Sequence, residues 1–396
     1  MIKTRQSLHK IAELSNQEYK TAQFVVDFLA TCNPTSIHQN IGNTGIIAIW
    51  ESDNFDSTQH KTIAFRAELD ALPIPEPNNF EYKSEHQGVS HKCGHDGHMT
   101  ILLGVAAYLK NNFYKIIQKT GKRIILLFQP AEETGEGALQ MLEDEKMQKL
   151  NLKIDYFFAL HNIPSYQKNL IVCRENTFAA ASTGIIVEFE GLTSHAAEPQ
   201  NGKNPALALS ELTQFLYFLS ENTIKEKENK DFVLATVVDA ILGETSRKSF
   251  DDIAFGVSPA KARVCATLRS YLDEDLQLLS QRTEQKAQEL AKKYDLKLKI
   301  SYSEKFAATT NTEQSVELIQ KAATKLGLKY QNKEKPFSWS EDFGQFTQRF
   351  EGAMFGLGSG KNTPKLHHSN YDFPDDITQT GIDMFVALIQ NSEIRS

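Results

Sequence analysis

The chain has 396 residues, more than one hydrophobic core usually organises, so two domains are expected. Its 43 Lys and Arg against 50 Asp and Glu give a net charge of -7, which argues against nucleic acid or anionic lipid as partners. Met1 to Leu14 is broken by Lys3, Arg5, Lys10 and Glu13 and no apolar run reaches membrane-spanning length, so neither a signal peptide nor a membrane anchor is read, and the cytoplasm is the expected location. Cys32, Cys93, Cys173 and Cys265 lie far apart without paired spacing, which suits reduced thiols.

Apolar positions recur at helical spacing from Thr4 to Ala30, and Gly45 to Trp50 reads as the first strand. Thr62 to Phe65 is the next strand and leads into Asp70. The loop Cys93-Gly94-His95-Asp96-Gly97-His98 follows, then a helix over Met99 to Leu109 with a stripe of Ile101, Leu102, Val105, Ala106 and Leu109. Strand-like runs at Ile124 to Phe128 and Tyr156 to Leu160 flank a helical segment, Ala138 to Leu150. Such alternation predicts an α/β fold with a mainly parallel sheet, in which residues following the strands converge on one crevice.

Near Thr183 the pattern changes. A strand at Ile185 to Phe189, a polar loop through Gly202, a helix from Pro205 to Leu219, strands at Val233 to Ile241 and Arg263 to Leu268, a helix from Asp273 to Lys293 and a strand at Leu296 to Tyr302 predict an α+β unit of four strands and two helices. The run Lys225-Glu226-Lys227-Glu228 reads as a solvated loop. Beyond Phe306, a helix at Gln314 to Leu326, a loop at Ser340 to Phe343, a strand at Ala353 to Leu357 and a helix at Gln379 to Ile389 return to the first domain. The boundaries are accordingly 1–180 with 304–396, and 181–303.

Chemistry concentrates at a few positions. Cys93 and His95, two residues apart around a glycine, can face one ion, and thiolate with imidazole favours zinc or a similar transition metal. His98 reads equally as a residue orienting a ligand or as part of the first helical turn. Adjacent Glu132 and Glu133 project differently, so one can bind metal while the other takes a proton from water. Asp70 is placed to orient a histidine, His161 is a ligand candidate, and His367 or His368 could ligate from the loop after Gly356 to Gly360. In Thr193-Ser194-His195-Ala196-Ala197 an imidazole beside small residues could steady an oxyanion, although a surface histidine is the plainer reading.

In order along the chain, these residues resemble the dinuclear-metal aminoacylase and carboxypeptidase clan, in particular the amidohydrolase subfamily that includes hippurate hydrolases, auxin-conjugate hydrolases and N-acetyl-diaminopimelate deacetylases. The likeness runs from Leu8-His9, Glu13 and Glu18 through Arg66 to Pro73, the Cys93 to His98 loop, Phe128 to Glu133, Leu160-His161-Asn162, His195-Ala196-Ala197 and Ser340 to Phe343, to Leu366-His367. It implies a catalytic domain carrying an inserted α+β lid, two divalent metal ions, and a homodimer through the lid. Cys93 would bridge the two ions, with His95 and His161 on one and Glu133 and His367 on the other. Glu132 would be the general base, Asp70 would sit behind the metals, and His195 would steady the oxyanion. Zinc or manganese is expected, with cobalt and nickel compatible. Gly256 departs from the pattern, since relatives commonly carry an asparagine there that helps hold a substrate carboxylate; Arg269 matches a family arginine and leaves an anionic substrate open. The implied activity is hydrolysis of an N-acyl amino acid or related small amide. Alternatives are a dipeptidase or carboxypeptidase on the same scaffold, a binding protein that has lost catalysis, and a structural zinc module.

Overall fold

A computed structural model describes residues 1–226, 231–244 and 253–391, arranged as two compact units. The first comprises Met1–Phe178, Thr309–Pro336 and Glu341–Ser396, and the second Ala179–Ala308 with Phe337–Ser340.

An eight-stranded sheet organises the first unit. Its spatial order is Ser36–Ile41, Gly45–Trp50, Arg123–Gln129, Thr62–Glu68, Tyr156–Pro164, Gly352–Gly360, Ile171–Cys173 and Tyr330–Asn332. The four central strands run parallel to one another, with antiparallel pairs toward the margins, so the α/β reading holds. Gly45–Trp50 is buried along its length, as are the residues of Thr62–Glu68, because both faces of the sheet are covered. The helix His95–Phe113 and the terminal helix Thr378–Ile389 share one core with the sheet, where Leu102, Val105, Phe65, Phe158, Phe355 and Phe385 are fully or almost fully buried. Each large side chain withdrawn in this way contributes about 1.5–3 kcal/mol.

Several elements differ from the sequence reading. Ser36–Ile41 is an additional strand before Gly45–Trp50; it pairs at the sheet edge, where one polar face can stay wet and no apolar alternation is required. Ile171–Cys173 and Tyr330–Asn332 are each too short for periodicity to register. Thr4 to Ala30 is two helices, Ile2–Lys10 and Tyr19–Ala30, interrupted where Asn16 takes a left-handed conformation, φ 64°. Ala138 to Leu150 likewise splits at Asp144, which is extended and caps the second helix through Lys146 N–H.

The first helix is anchored by charge. Arg5 and His9 are buried; His9 Nδ1 lies 2.7 Å from Asp96 and Nε2 2.9 Å from Glu76, while Arg5 reaches Asp96, Asp372 and Asp375. Burial lowers the His9 pKa, but the bonds and charges of Asp96 and Glu76 prevail and raise it from 6.5 to about 9. A raised histidine pKa stabilises fully below the unfolded value, and the contribution is lost as pH climbs through about 9. Denaturant unfolding is therefore expected to show stability falling by up to about 3 kcal/mol between about pH 6 and pH 10. His9→Gln should flatten that slope; an unchanged slope would assign the loss to another group.

In the second unit a four-stranded antiparallel sheet, ordered Val233–Leu242, Lys261–Ser270, Ala181–Glu190 and Lys297–Phe306, carries two helices, Ala206–Glu226 and Asp273–Tyr294. Burial alternates along Lys261–Ser270, and Ile185, Val187 and Phe189 enter a core with Leu212, Leu216 and Leu279. The second helix begins with Asp273, Glu274 and Asp275 and ends with Lys292 and Lys293, charges matched to its dipole. Lys225 and Glu226 close the first helix instead of lying in a loop; Lys227 and Glu228 fall outside the described residues. No helix among the described residues is long and apolar enough to cross a membrane.

Candidate metal centre and active site

Because the four central strands are parallel, their carboxyl ends share one edge of the sheet. Asp70 follows Thr62–Glu68, the Glu132-Glu133 pair follows Arg123–Gln129, His161 lies near the end of Tyr156–Pro164, and His367 is in the loop after Gly352–Gly360. The loop carrying Cys93 enters the same edge and becomes helical at His95. Gly94 makes that entry with φ 102°, and a Cβ there would lie 2.3 Å from Asn162 Oδ1, so both the turn and the packing require glycine.

Among the described residues several potential donor sets result, Glu132 entering one with His95 and Glu133 and another with Glu341 and Asp342, and two of the sets share the sulfur of Cys93. Cys93, His95 and His161 place ligand atoms within 4.8 Å of one another, and so do Cys93, Glu133 and His367. Cys93 Sγ is 3.5 Å from His161 Nε2, and His367 Nε2 is 3.5 Å from Glu133 Oε2. Each buried histidine has its Nδ1 occupied by a carbonyl, His95 by Asp70 O and His161 by Asn162 O, both at 2.9 Å, which leaves both Nε2 atoms facing the centre. Asp70 thus holds His95 more closely through its backbone than through its carboxylate, whose Oδ1 is 3.4 Å away. His98 bonds Glu68 at 2.8 Å and Asn162 at 2.6 Å; it also belongs to a potential donor group with Glu68 and His95. His367 is half-exposed and left-handed, φ 64°, and its N–H donates to Lys92 O.

The two adjacent glutamates leave a sharp turn. Ala131 has φ 47°, a conformation that costs a residue with a Cβ about 1–2 kcal/mol. The turn is held by bonds from Ala131 N–H to Glu18 Oε1 at 2.8 Å, from Glu133 N–H to Asp70 Oδ2 at 3.0 Å and from Ala138 N–H to Asp342 Oδ2 at 3.0 Å. Glu132 Oε2 then lies 3.6 Å, and Glu133 Oε1 3.8 Å, from His95 Nε2.

Behind Glu132 lies a buried network of residues that the resemblance ran through but to which the sequence reading gave no role. Arg66 binds Glu68, Glu341 and Asp342, and its Nε donates to Gln129 Oε1. Gln129 and Ala138 N–H also donate to Asp342. The available signal was an arginine and a glutamate inside an otherwise apolar strand, since charges in such a place need partners from elsewhere in the chain.

The donor chemistry fits a pair of cations. His95 Nε2 and Glu133 Oε1 are buried without a hydrogen-bond partner. Burial and then the carboxylates of Glu133, Glu132, Glu68 and Glu341 push the Cys93 thiol well up. Burial raises Glu133 to about 7 despite His95, and burial with Glu341 and Glu133 raises Glu132 well above the usual range. His95, although burial opposes its charge, is driven to about 10 by Glu68, Asp70 and Glu133. Deprotonated together, these acids would outnumber the protein cations beside them, and cation binding would displace protons from Cys93 and His95.

The remaining candidates belong to the second unit. His195 pairs with Val257 across a two-residue ladder, and its Nδ1 accepts from Ala197 N–H at 3.1 Å, which leaves Nε2 to carry the proton of a neutral ring. Gly256 accepts from Ala196 N–H, and a Cβ there would meet open space. Arg269 donates to Ser340 Oγ at 2.8 Å, and no carboxylate among the described residues forms an ion pair with it.

With this geometry in place, comparison with known proteins gives the family. The chain belongs to peptidase family M20/M25/M40, whose model matches residues 64–391, and is accordingly a metal-dependent hydrolase. It is 29% identical over 388 residues to an N-acetyldiaminopimelate deacetylase of Bacillus velezensis, covering 98% of this chain and 97% of that protein. A hippurate hydrolase of Campylobacter jejuni is likewise 29% identical over 388 residues, covering 98% and 94%. Among solved structures, a dinuclear metal binding peptidase of the M20 family from Bacillus subtilis superposes with a TM-score of 0.76 at 22% identity, covering 98% of this chain and 96% of that one. The family resemblance and the α/β class read from the sequence are both borne out.

Proposed function

We propose that the protein hydrolyses the amide bond of an N-acyl amino acid or a related small amide, using two divalent cations and Glu132 as general base. The observation that carries this reading is the pair of donor triads joined at Cys93 with a further carboxylate, Glu132, beside them. The names of the two relatives above, each describing release of an acyl group from an amino acid, support the substrate class.

Cys93, His95 and His161 would hold one cation, and Cys93, Glu133 and His367 the other, with zinc or manganese preferred by this mixture of sulfur, nitrogen and oxygen donors. Such cations, when bound, lower the pKa of water and polarise a carbonyl. Glu132 accepts the proton of the attacking water and returns it to the departing amine. Asp70 fixes His95 from behind, and His195 donates Nε2–H to the oxyanion of the tetrahedral intermediate. Arg269 receives an anionic group of the substrate. In this reading residues 1–180 and 304–396 form the catalytic domain, and 181–303 is an inserted lid that joins two copies into a homodimer; the enzyme works in the cytoplasm on small molecules.

The test is amine release by the full chain, reconstituted separately with zinc and manganese, from N-acetyl and N-benzoyl amino acids beside a dipeptide panel. Turnover of the N-acyl amino acids is expected. Exclusive turnover of dipeptides would replace the reading with a dipeptidase, and binding of both classes without cleavage would replace it with a binding protein.

A further inference from the structure

Far from the metal ligands in sequence, the segment between the first two helices is stitched to the turn that bears Glu132 and Glu133. Ser15 Oγ donates to Asp70 Oδ2 at 2.7 Å, the same oxygen that accepts from Glu133 N–H. Asn16 Nδ2 donates to Glu136 at 3.1 Å, on the far side of the turn. Between them stands Glu18, whose carboxylate is wholly buried although no cationic side chain among the described residues pairs with it. Its Oε1 accepts from Ala131 N–H and from Asn16 N–H, both at 2.8 Å, and its Oε2 accepts from Thr44 Oγ1 at 2.7 Å.

A carboxylate buried without an ion pair among the described residues is an expensive choice for a loop. Its use becomes apparent at Ala131. That residue occupies the left-handed region, which alanine does not favour, and it precedes the two glutamates whose separation the chemistry depends on. A turn that relaxed out of this conformation would rotate Glu133 away from Cys93 and His367. Holding the Ala131 N–H from outside the turn prevents this, because the bond is satisfied only while the strained conformation lasts.

We propose that Glu18 is a positioning residue, clamping the left-handed Ala131 turn so that Glu133 faces Cys93 and His367. The proposal rests on the two-cation reading above. It predicts an asymmetric effect: the triad of Cys93, His95 and His161 draws no ligand from this turn, whereas the triad containing Glu133 does.

The experiment is calorimetric titration of the metal-free full chain with Mn2+, for the wild type, Glu18→Ala and Glu18→Gln, with circular dichroism and thermal midpoints measured in parallel. Two equivalents are expected for the wild type. For Glu18→Ala one equivalent should bind as before and the other should weaken by about 10–100-fold, the range for loss of a group that orients a metal ligand. Glutamine offers Oε1 to the two N–H groups and its amide to the Thr44 hydroxyl, so Glu18→Gln should give an isotherm close to that of the wild type. If Glu18→Ala fails to fold, Glu18→Asp, which keeps the acceptors but shortens their reach, is judged by the same asymmetry. Unchanged binding of both equivalents with only a lower thermal midpoint would overturn the proposal, as would equal weakening of both or failure of glutamine to rescue. Fewer than two equivalents in the wild type would instead strike the two-cation reading itself, and the proposal with it.

Discussion

Replacing Glu132 with glutamine is expected to lower kcat on N-acyl amino acids by about 10²–10⁴-fold while two cation equivalents remain bound. The substitution keeps the shape of the side chain and removes only its ability to accept a proton. Glu132 is assigned to neither donor triad joined at Cys93, although its Oε2 stands 3.6 Å from His95 Nε2. A base acts in the chemical step, so kcat should fall with little change in KM. Turnover measured beside cation stoichiometry separates this from a ligand role: loss of an equivalent in Glu132→Gln would make Glu132 a ligand, and an undiminished kcat would remove it as the base.

Removing the sulfur of Cys93 should have the wider effect, since one atom serves both triads. Cys93→Ala is expected to abolish tight binding of both cations and to take turnover to background, whereas His161→Ala, on the first triad alone, should leave the second equivalent measurable. The fold should persist in Cys93→Ala, because the central sheet and its helices have an extensive core of their own. Thermal unfolding of both variants beside their titrations decides the matter. Retention of one tight equivalent in Cys93→Ala would show that the sulfur does not bridge, and collapse of the fold on chelation would favour a structural metal module.

Much of the first unit was legible because parallel strands buried on both faces must be written as unbroken apolar runs, and Ile124 to Phe128 and Tyr156 to Leu160 are such runs. The second unit was legible for a different reason: only one sheet face is fully covered, so buried Ile185, Val187 and Phe189 alternate with the half-buried Ile186 and Glu188. Edge strands were missed where pairing is made by backbone bonds that leave little mark on side-chain choice. Ser36–Ile41, with His38, Gln39 and Asn40, shows this most plainly.

The candidate ligands could be named early because thiol, imidazole and carboxylate groups are rare at strand ends unless chemistry or charge balance requires them. Their supports could not. Arg66 lies beside Glu341 and Asp342 only after the chain has returned from the inserted unit, and His9 meets Asp96 only when the first helix packs against the metal loop. Glu18 and Ala131 are joined across 113 positions by one bond between a carboxylate and a backbone N–H, an interaction with no residue-type signature at the receiving end.

Sequence alone determined which residues are candidate ligands and the alternation that brings parallel strands together, since both are written in residue types at short range. Tertiary structure decided which nitrogen of each histidine faces inward, which carbonyl holds the other, and how a strained turn divides two neighbouring carboxylates. Those outcomes depend on hydrogen bonds between groups distant along the chain, whose directions are fixed only when packing has excluded water and left each buried donor one acceptor to satisfy.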